Sequence, residues 1–158
     1  MYNIGIIGAG KVGVSLGRYL SGLEYTNLVG YYSRSLDSSA YAAKVTNSGK
    51  FTNIEKLVEK SNVILITTPD DKISQVWSTI SKFSIQNKIV CHCSGSLSSE
   101  IFFDISSKGA SGCSMHPILA ISSKENSYKD LASAFFTLEG QDEAIEFFSK
   151  VLDSKGNK

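Results

Sequence analysis

Long apolar runs are missing from this chain: no stretch of it approaches the roughly 20 residues that a helix needs to cross a bilayer. A basic segment followed by a cleavable apolar one is also missing at the start, where Met1-Tyr2-Asn3 leads directly into a β-rich run, so export is not expected and the cytoplasm is the expected compartment. Cysteine is scarce and odd in number, with Cys91, Cys93 and Cys113 alone, which argues against a disulfide framework. An excess of one charge sign is lacking too, because 16 Lys and Arg face 15 Asp and Glu. Proteins that coat nucleic acid or an anionic membrane carry a basic excess or stripe, so neither partner is expected here. Any anionic ligand must be held by local geometry. Proline is limited to Pro69 and Pro117, and no repeat or low-complexity linker interrupts the chain.

What remains is the composition of one globular domain, since 158 residues are enough for a single core and few for two. Strand and helix signals alternate along it. Residues 3–8 form a short apolar run ending in glycine, as in a buried parallel strand. Val12, Leu16 and Leu20 then recur at helical spacing over residues 11–21. A second strand is predicted at 28–32, a weaker Ala- and Ser-rich helix at 35–45, and a brief third strand at 50–51. Thr52 and Glu55 have capping-box spacing, which predicts a helix starting from Thr52 and running through Val58. Residues 63–67 are the clearest strand; Pro69 stops it, and Asp70 or Asp71 opens a helix whose face carries Ile73, Val76, Trp77 and Ile80. Further strands are predicted at 88–92, 112–115 and 134–138, with a helix at 97–107 and a last amphipathic helix bearing Ile145, Phe148, Val151 and Leu152. The polar stretch 122–129 reads as a mobile loop. This order predicts an α/β fold, a doubly wound and mainly parallel sheet covered by helices on both faces.

Gly8-Ala9-Gly10-Lys11-Val12-Gly13 fits G-x-G-x-x-G, a pattern that is weak alone and informative between a strand and a helix. Gly8 permits the tight turn, Gly10 lets backbone approach a pyrophosphate, and Gly13 allows close packing of helix on strand. The helix start adds N–H donors and partial positive charge. The plain glycine turn is the structural alternative. Gly5 to Lys11 also fits the stem of a P-loop, but Val12 stands where Ser or Thr must bind magnesium and Gly5 lies inside the strand, so triphosphate hydrolysis is not supported.

Dinucleotide-binding proteins that use NAD place an acid on the ribose about 20 residues beyond the glycines. Here that region reads Tyr32-Ser33-Arg34-Ser35, and no acid occurs before Asp37. Arg34 can pair with a 2′-phosphate while Ser33 and Ser35 donate hydroxyls, so NADP(H) is the expected cofactor. A solvated Arg34 with no ligand is the alternative.

The other distinctive polar residues also lie at strand ends, where open parallel sheets bind ligands: Thr67-Thr68-Pro69, His92-Cys93-Ser94-Gly95-Ser96 and His116-Pro117. Ser94 and Ser96 have the chemistry to hold a substrate carbonyl or carboxylate, with helix capping as the competing role for Ser96. Histidine is the side chain that exchanges protons most readily near neutral pH, which makes His116 the acid/base candidate; holding the loop before Pro117 is the competing role. His92 reads as structural. The Cys and His residues can be drawn as a zinc site, but His92 must point away from Cys91 and Cys93 on an alternating strand, and paired C-x-x-C knuckles are lacking, so no metal is expected.

These motifs together resemble the Rossmann-like NADP oxidoreductases in which a nucleotide-binding N-terminal domain precedes a helical C-terminal domain of unknown function. Pyrroline-5-carboxylate reductase, the deazaflavin-dependent NADP reductases and prephenate dehydrogenase are wider relatives of that group. The resemblance rests on residues 3–13, on Ser33-Arg34-Ser35, Thr68-Pro69-Asp70-Asp71, His92-Cys93-Ser94-Gly95-Ser96 and Met115-His116-Pro117, and continues through Phe136 to Gly140. It implies cofactor contacts at the glycine loop, at Ser33 to Ser35, at Thr67, Thr68 and Pro69, and at Ser94 and Gly95. It implies that residues 1–158 are the nucleotide-binding domain alone, that the helical domain which closes the substrate pocket and often builds a dimer is not among them, and that the substrate is a small molecule. An NADP-dependent oxidoreductase is thus the expected function. A non-catalytic binding or sensing module, or an FAD protein that would purify yellow, are the alternatives.

Overall fold

The computed structural model describes residues 1–157. Its seven strands are β1 (Tyr2–Ile7), β2 (Thr26–Tyr32), β3 (Gly49–Phe51), β4 (Val63–Ile66), β5 (Ile89–His92), β6 (Ser111–Pro117) and β7 (Phe136–Gly140). They form one sheet in the order β3-β2-β1-β4-β5-β6-β7. All neighbours are parallel except β6 and β7. The helices are α1 (Lys11–Leu20), α2 (Leu36–Thr46), α3 (Ile54–Lys60), α4 (Asp70–Ile80), α5 (Ser127–Asp130) and α6 (Asp142–Lys155). The expected doubly wound α/β architecture is therefore the one observed.

Strand alternation builds two cores. In β4, Val63 and Leu65 enter one apolar cluster with Ile4, Ile6, Leu16, Met115, Phe148 and Val151. Ile64 and Ile66 enter the other, with Ile7, Leu57, Ile73, Trp77, Val90 and Phe102. Successive side chains of a strand point to opposite faces, so a strand buried on both sides must be apolar throughout, as VILI is. α1, α2 and α6 contribute to the first cluster, and α3 and α4 to the second.

Three expectations change. α3 is capped by Asn53, not by Thr52: the Asn53 Oδ1 accepts from the amides of Glu55 (2.8 Å) and Lys56 (3.3 Å). Asn is among the strongest N-caps, and one side chain meets both donors, which leaves the Thr52–Glu55 box unnecessary. Residues 97–107 form no α-helix but two 3-10 turns, Ser99–Ile101 and Ser106–Lys108. Serines crowd that segment and compete for backbone bonds, while Phe102 and Ile105 anchor it to the second core without helical continuity. Residues 122–129, expected as a loop, contain the start of α5 and are strapped to the surface. Ser127 Oγ accepts from the amides of Ser122 and Ser123, Arg18 donates to the Glu125 carbonyl (3.0 Å), and the Tyr41 hydroxyl donates to Glu125 (2.9 Å).

Candidate functional site

The strand order reverses between β1, which continues outward to β2, and β4 on its other side. The loops leaving β1 and β4 diverge there, opening a crevice beyond their carboxyl ends. A cleft of about 420 Å³ occupies it, lined by the β1 loop (Gly8, Ala9, Gly10), the β2 end (Ser33, Arg34, Ser35), Thr67, Thr68 and Pro69 after β4, and one face of α4.

The glycine loop is clamped on both sides. The Gly8 amide donates to the Tyr32 carbonyl (2.8 Å), and the Thr67 hydroxyl donates to the Gly8 carbonyl (3.0 Å). Gly8 has φ +112°, a conformation that L side chains rarely adopt. A Cβ on Gly13 would collide with the Gly8 carbonyl oxygen and stand 2.6 Å from Thr67 Oγ1, so that glycine serves close packing of α1 under the loop. Gly10 is different. Its φ of −80° and ψ of −166° suit any residue, and a Cβ there would meet nothing within 4 Å. No demand of the fold requires glycine at position 10, whereas a backbone surface that must meet a flat-on diphosphate does. Gly10 is also the N-cap of α1 without a side-chain cap, and the helix start faces outward from it. These residues fit a dinucleotide.

Lys11 and Val12 do not line the cleft; Lys11 is exposed at the start of α1, and Val12 packs against the first core. At the β2 end, Ser35 caps α2 by accepting from the Ser38 amide (3.2 Å), and Ser33 Oγ accepts from the Ser35 amide (3.3 Å). The Arg34 side chain is exposed and makes no hydrogen bond or ion pair among the described residues. The cleft lining includes Arg34 and Lys72 and contains no carboxylate. Sequence reasoning missed the α4 part of this wall, Lys72, Gln75, Val76 and Thr79, although their i, i+3, i+4, i+7 spacing marks one helix face.

The second polar group lies at the ends of β5 and β6 and is bonded internally. Ser94 Oγ donates to Asp70 Oδ2 (2.7 Å) and accepts from the amides of Ser96 (3.1 Å) and Leu97 (3.2 Å). The turn is thus held by Ser94, and Ser96 is not a cap: its hydroxyl donates to the same Asp70 oxygen (2.9 Å). His116, half-buried, has Nδ1 3.3 Å from the Cys93 carbonyl, which makes Nδ1 the protonated nitrogen. Its ring lies over Gly95, where a Cβ would stand 2.7 Å from Nε2; packing against His116 is therefore a use of Gly95 that the sequence did not reveal. His92 is fully buried, accepts from the Ser94 amide at Nδ1 (3.2 Å) and bonds the Ser98 carbonyl through Nε2 (3.1 Å). Burial lowers its pKa and keeps it neutral. Burial likewise pushes the Cys91 and Cys93 thiols up, which leaves them protonated and poor nucleophiles. Cys91 and Cys113 face the first core while His92 meets Phe102 on the other side of the sheet, and no group of three or more metal-binding side chains converges among the described residues.

Comparison with known proteins agrees with this architecture. The profile of the Rossmann-like domain matches residues 1–117. Among solved structures, a candidate NADP oxidoreductase from Bacteroides fragilis superposes with a TM-score of 0.82 at 18% identity, covering 97% of this chain and 57% of that one. Prephenate dehydrogenase from A. aeolicus, in complex with hydroxyphenyl propionate and NAD+, gives 0.80 at 18% identity over 100% and 58%. Plasmodium falciparum pyrroline carboxylate reductase, with NADP bound, gives 0.74 at 15% identity over 99% and 56%. The chain spans little more than half the length of each of these relatives, and at such identities the likeness is one of fold. No curated protein sequence matches the chain. No helix among the described residues is long and apolar enough to cross a membrane.

Proposed function

The chain belongs to the Rossmann-like domain family, and we propose that within it this protein binds NADP(H), acting as an oxidoreductase or as the cofactor-binding domain of one. The observation that carries the reading is a cleft built from the glycine loop and the β2 end whose lining holds Arg34 and no carboxylate. An acid at the β2 end would accept from a free ribose hydroxyl and repel a phosphate; an arginine with unused donors does the reverse. Tyr32, Ile54 and Val76 give the same cleft an apolar side suited to the face of a purine.

The bound cofactor supplies hydride to, or takes it from, a small carbonyl, imine or hydroxy compound. Proton exchange falls to His116, whose Nδ1 is tied to the Cys93 carbonyl and whose Nε2 has no hydrogen-bond partner among the described residues, while Ser94 and Asp70 bond each other in the neighbouring turn. A non-catalytic binding or sensing module is the second reading. It is favoured by one observation: the Ser94 hydroxyl is saturated by Asp70 and two backbone amides, which leaves it little capacity for substrate.

Calorimetric titration of the chain with NADPH and NADH tests the cofactor assignment. NADPH binds more tightly in the proposed reading, and Arg34→Ala weakens it by roughly 1.5–3 kcal/mol, about tenfold or more, with little effect on NADH. Equal losses for both remove Arg34 from the 2′-phosphate, and absence of saturation with either coenzyme ends the proposal. Turnover of NADPH with a panel of small carbonyls and imines separates the two readings.

A further inference from the structure

We propose that Lys72 is a second determinant of cofactor specificity, closing on the 2′-phosphate from the α4 wall of the cleft. This inference rests on the NADP(H) reading above and concerns the same cleft. It begins with helix geometry. α4 buries Ile73, Trp77 and Ile80 in the second core, which turns Lys72, Gln75, Val76 and Thr79 toward the cleft as one stripe. Lys72 stands in the first turn of that stripe, close after Pro69, and is part of the cleft lining.

Charge then assigns it a task. A phosphate monoester carries about −1.5 to −2 charges at neutral pH. One guanidinium leaves much of that unneutralised, and the cleft lining offers one other cation, Lys72, with no carboxylate to oppose it. The two cations of the lining come from different elements, Arg34 from the β2 end and Lys72 from α4, and Tyr32, Ile54 and Val76 add apolar surface. That distribution suits a ligand with a flat base in the slot and an anion at its edge.

Lys72 is also free to move. Its ammonium lies 3.0 Å from Asp71, its neighbour in sequence, with side-chain exposures of 41% and 69%. An exposed pair of this kind is weak and screened by salt, so a dianion within reach displaces it. Arg34 and Lys72 then divide the recognition by chemistry: the planar guanidinium pairs two phosphate oxygens, and the flexible ammonium acts as a point charge on the third.

The experiment compares wild type and Lys72→Ala by calorimetry with NADPH and NADH at two salt concentrations, with thermal melting as the check on folding. Lys72→Ala is expected to weaken NADPH about tenfold and NADH less than twofold, and to reduce the salt dependence of NADPH binding, while Lys72→Arg retains most of the affinity. Equal losses for the two coenzymes would place Lys72 on the part they share and overturn the inference. Unchanged NADPH affinity would overturn it as well. If wild type itself shows no preference for NADPH, the cofactor assignment has failed and takes this role with it; if wild type prefers NADPH and Lys72→Ala keeps that preference undiminished, Lys72 alone is wrong.

Discussion

The two groups of polar residues at the carboxyl edge of the sheet are built on opposite plans. Around the β1, β2 and β4 ends, three groups that could meet a ligand are unspent: Gly10 presents bare backbone, Arg34 has no protein partner among the described residues, and Lys72 holds only an exposed neighbour. Around the β5 and β6 ends, nearly every donor and acceptor is already matched, Ser94 with Asp70 and two amides, His92 with Ser94 and Ser98, and His116 with Cys93. Residues that look equally functional in a sequence thus separate by whether their hydrogen bonds close on the protein itself. In the proposed reading the first group is a recognition surface. The second is a rigid shelf beside it, on which His116 Nε2 has no hydrogen-bond partner among the described residues.

The largest effect that can break this contrast comes from the glycine loop. Gly10→Val places a branched side chain in the open cleft and should displace a diphosphate from at least two charge-assisted N–H bonds, weakening NADPH and NADH alike by about 100-fold. The cost to the fold is confined to a poorer N-cap, about 1 kcal/mol. Gly13→Ala should invert the pattern, because its Cβ strikes the Gly8 carbonyl and Thr67; overpacking of about 1–3 kcal/mol should appear as a fall in melting temperature. Titration and melting of both variants decide the matter: a Gly10→Val protein that binds normally shows that the ligand lies elsewhere.

A smaller effect tests the shelf. Ser94→Ala removes an acceptor from two amides and a donor from Asp70 at a buried position, so it should lower stability by about 1–3 kcal/mol while NADPH affinity changes less than threefold. Denaturant unfolding beside calorimetry measures both. Loss of turnover without loss of stability would return Ser94 to a direct role in catalysis.

The smallest effect is a pH dependence. Burial lowers the pKa of His92 below its ordinary value of 6.5, so the unfolded chain binds this proton more readily than the folded one. The contribution of neutral His92 is fully present above 6.5 and is lost as pH falls from there toward the lowered folded value. Melting temperature should therefore decline from pH 7.5 to pH 5.5, and the decline should be shallower in His92→Asn relative to its own value at pH 7.5. Identical slopes would mean that the charge of His92 is tolerated in the fold.

Much of this was legible in the chain. The alternation of apolar runs and helical faces specified a mainly parallel sheet covered on both faces, because strands buried on both sides must be apolar and helices buried on one side must be periodic; the strand order was not read. Spacing singled out Gly8 and Gly10, which line the cleft, and Gly13, which packs beneath the loop, and the lack of a nearby acid singled out Arg34, which also lines it. The helix expected at 97–107 failed because its apolar residues satisfy helical spacing while its serines favour local turns, and sequence pattern registers the first more strongly than the second. Asp70 was read only as a helix start because its partners, Ser94 and Ser96, come from a loop after the next strand, and Lys72 was not singled out because its place on the cleft depends on which face of α4 the second core buries.

The sequence by itself determined the layering of this protein, the glycine turn after β1 and the presence of Arg34 without an acid at the β2 end, since these depend on residues close together in the chain. Only the tertiary structure decided which polar groups are free. Whether Ser94 meets a ligand or Asp70, and whether Lys72 faces the cleft or solvent, depends on contacts between segments whose relative placement is fixed by burial of the two cores. Hydrogen-bond saturation is a property of that placement, and local spacing does not encode it.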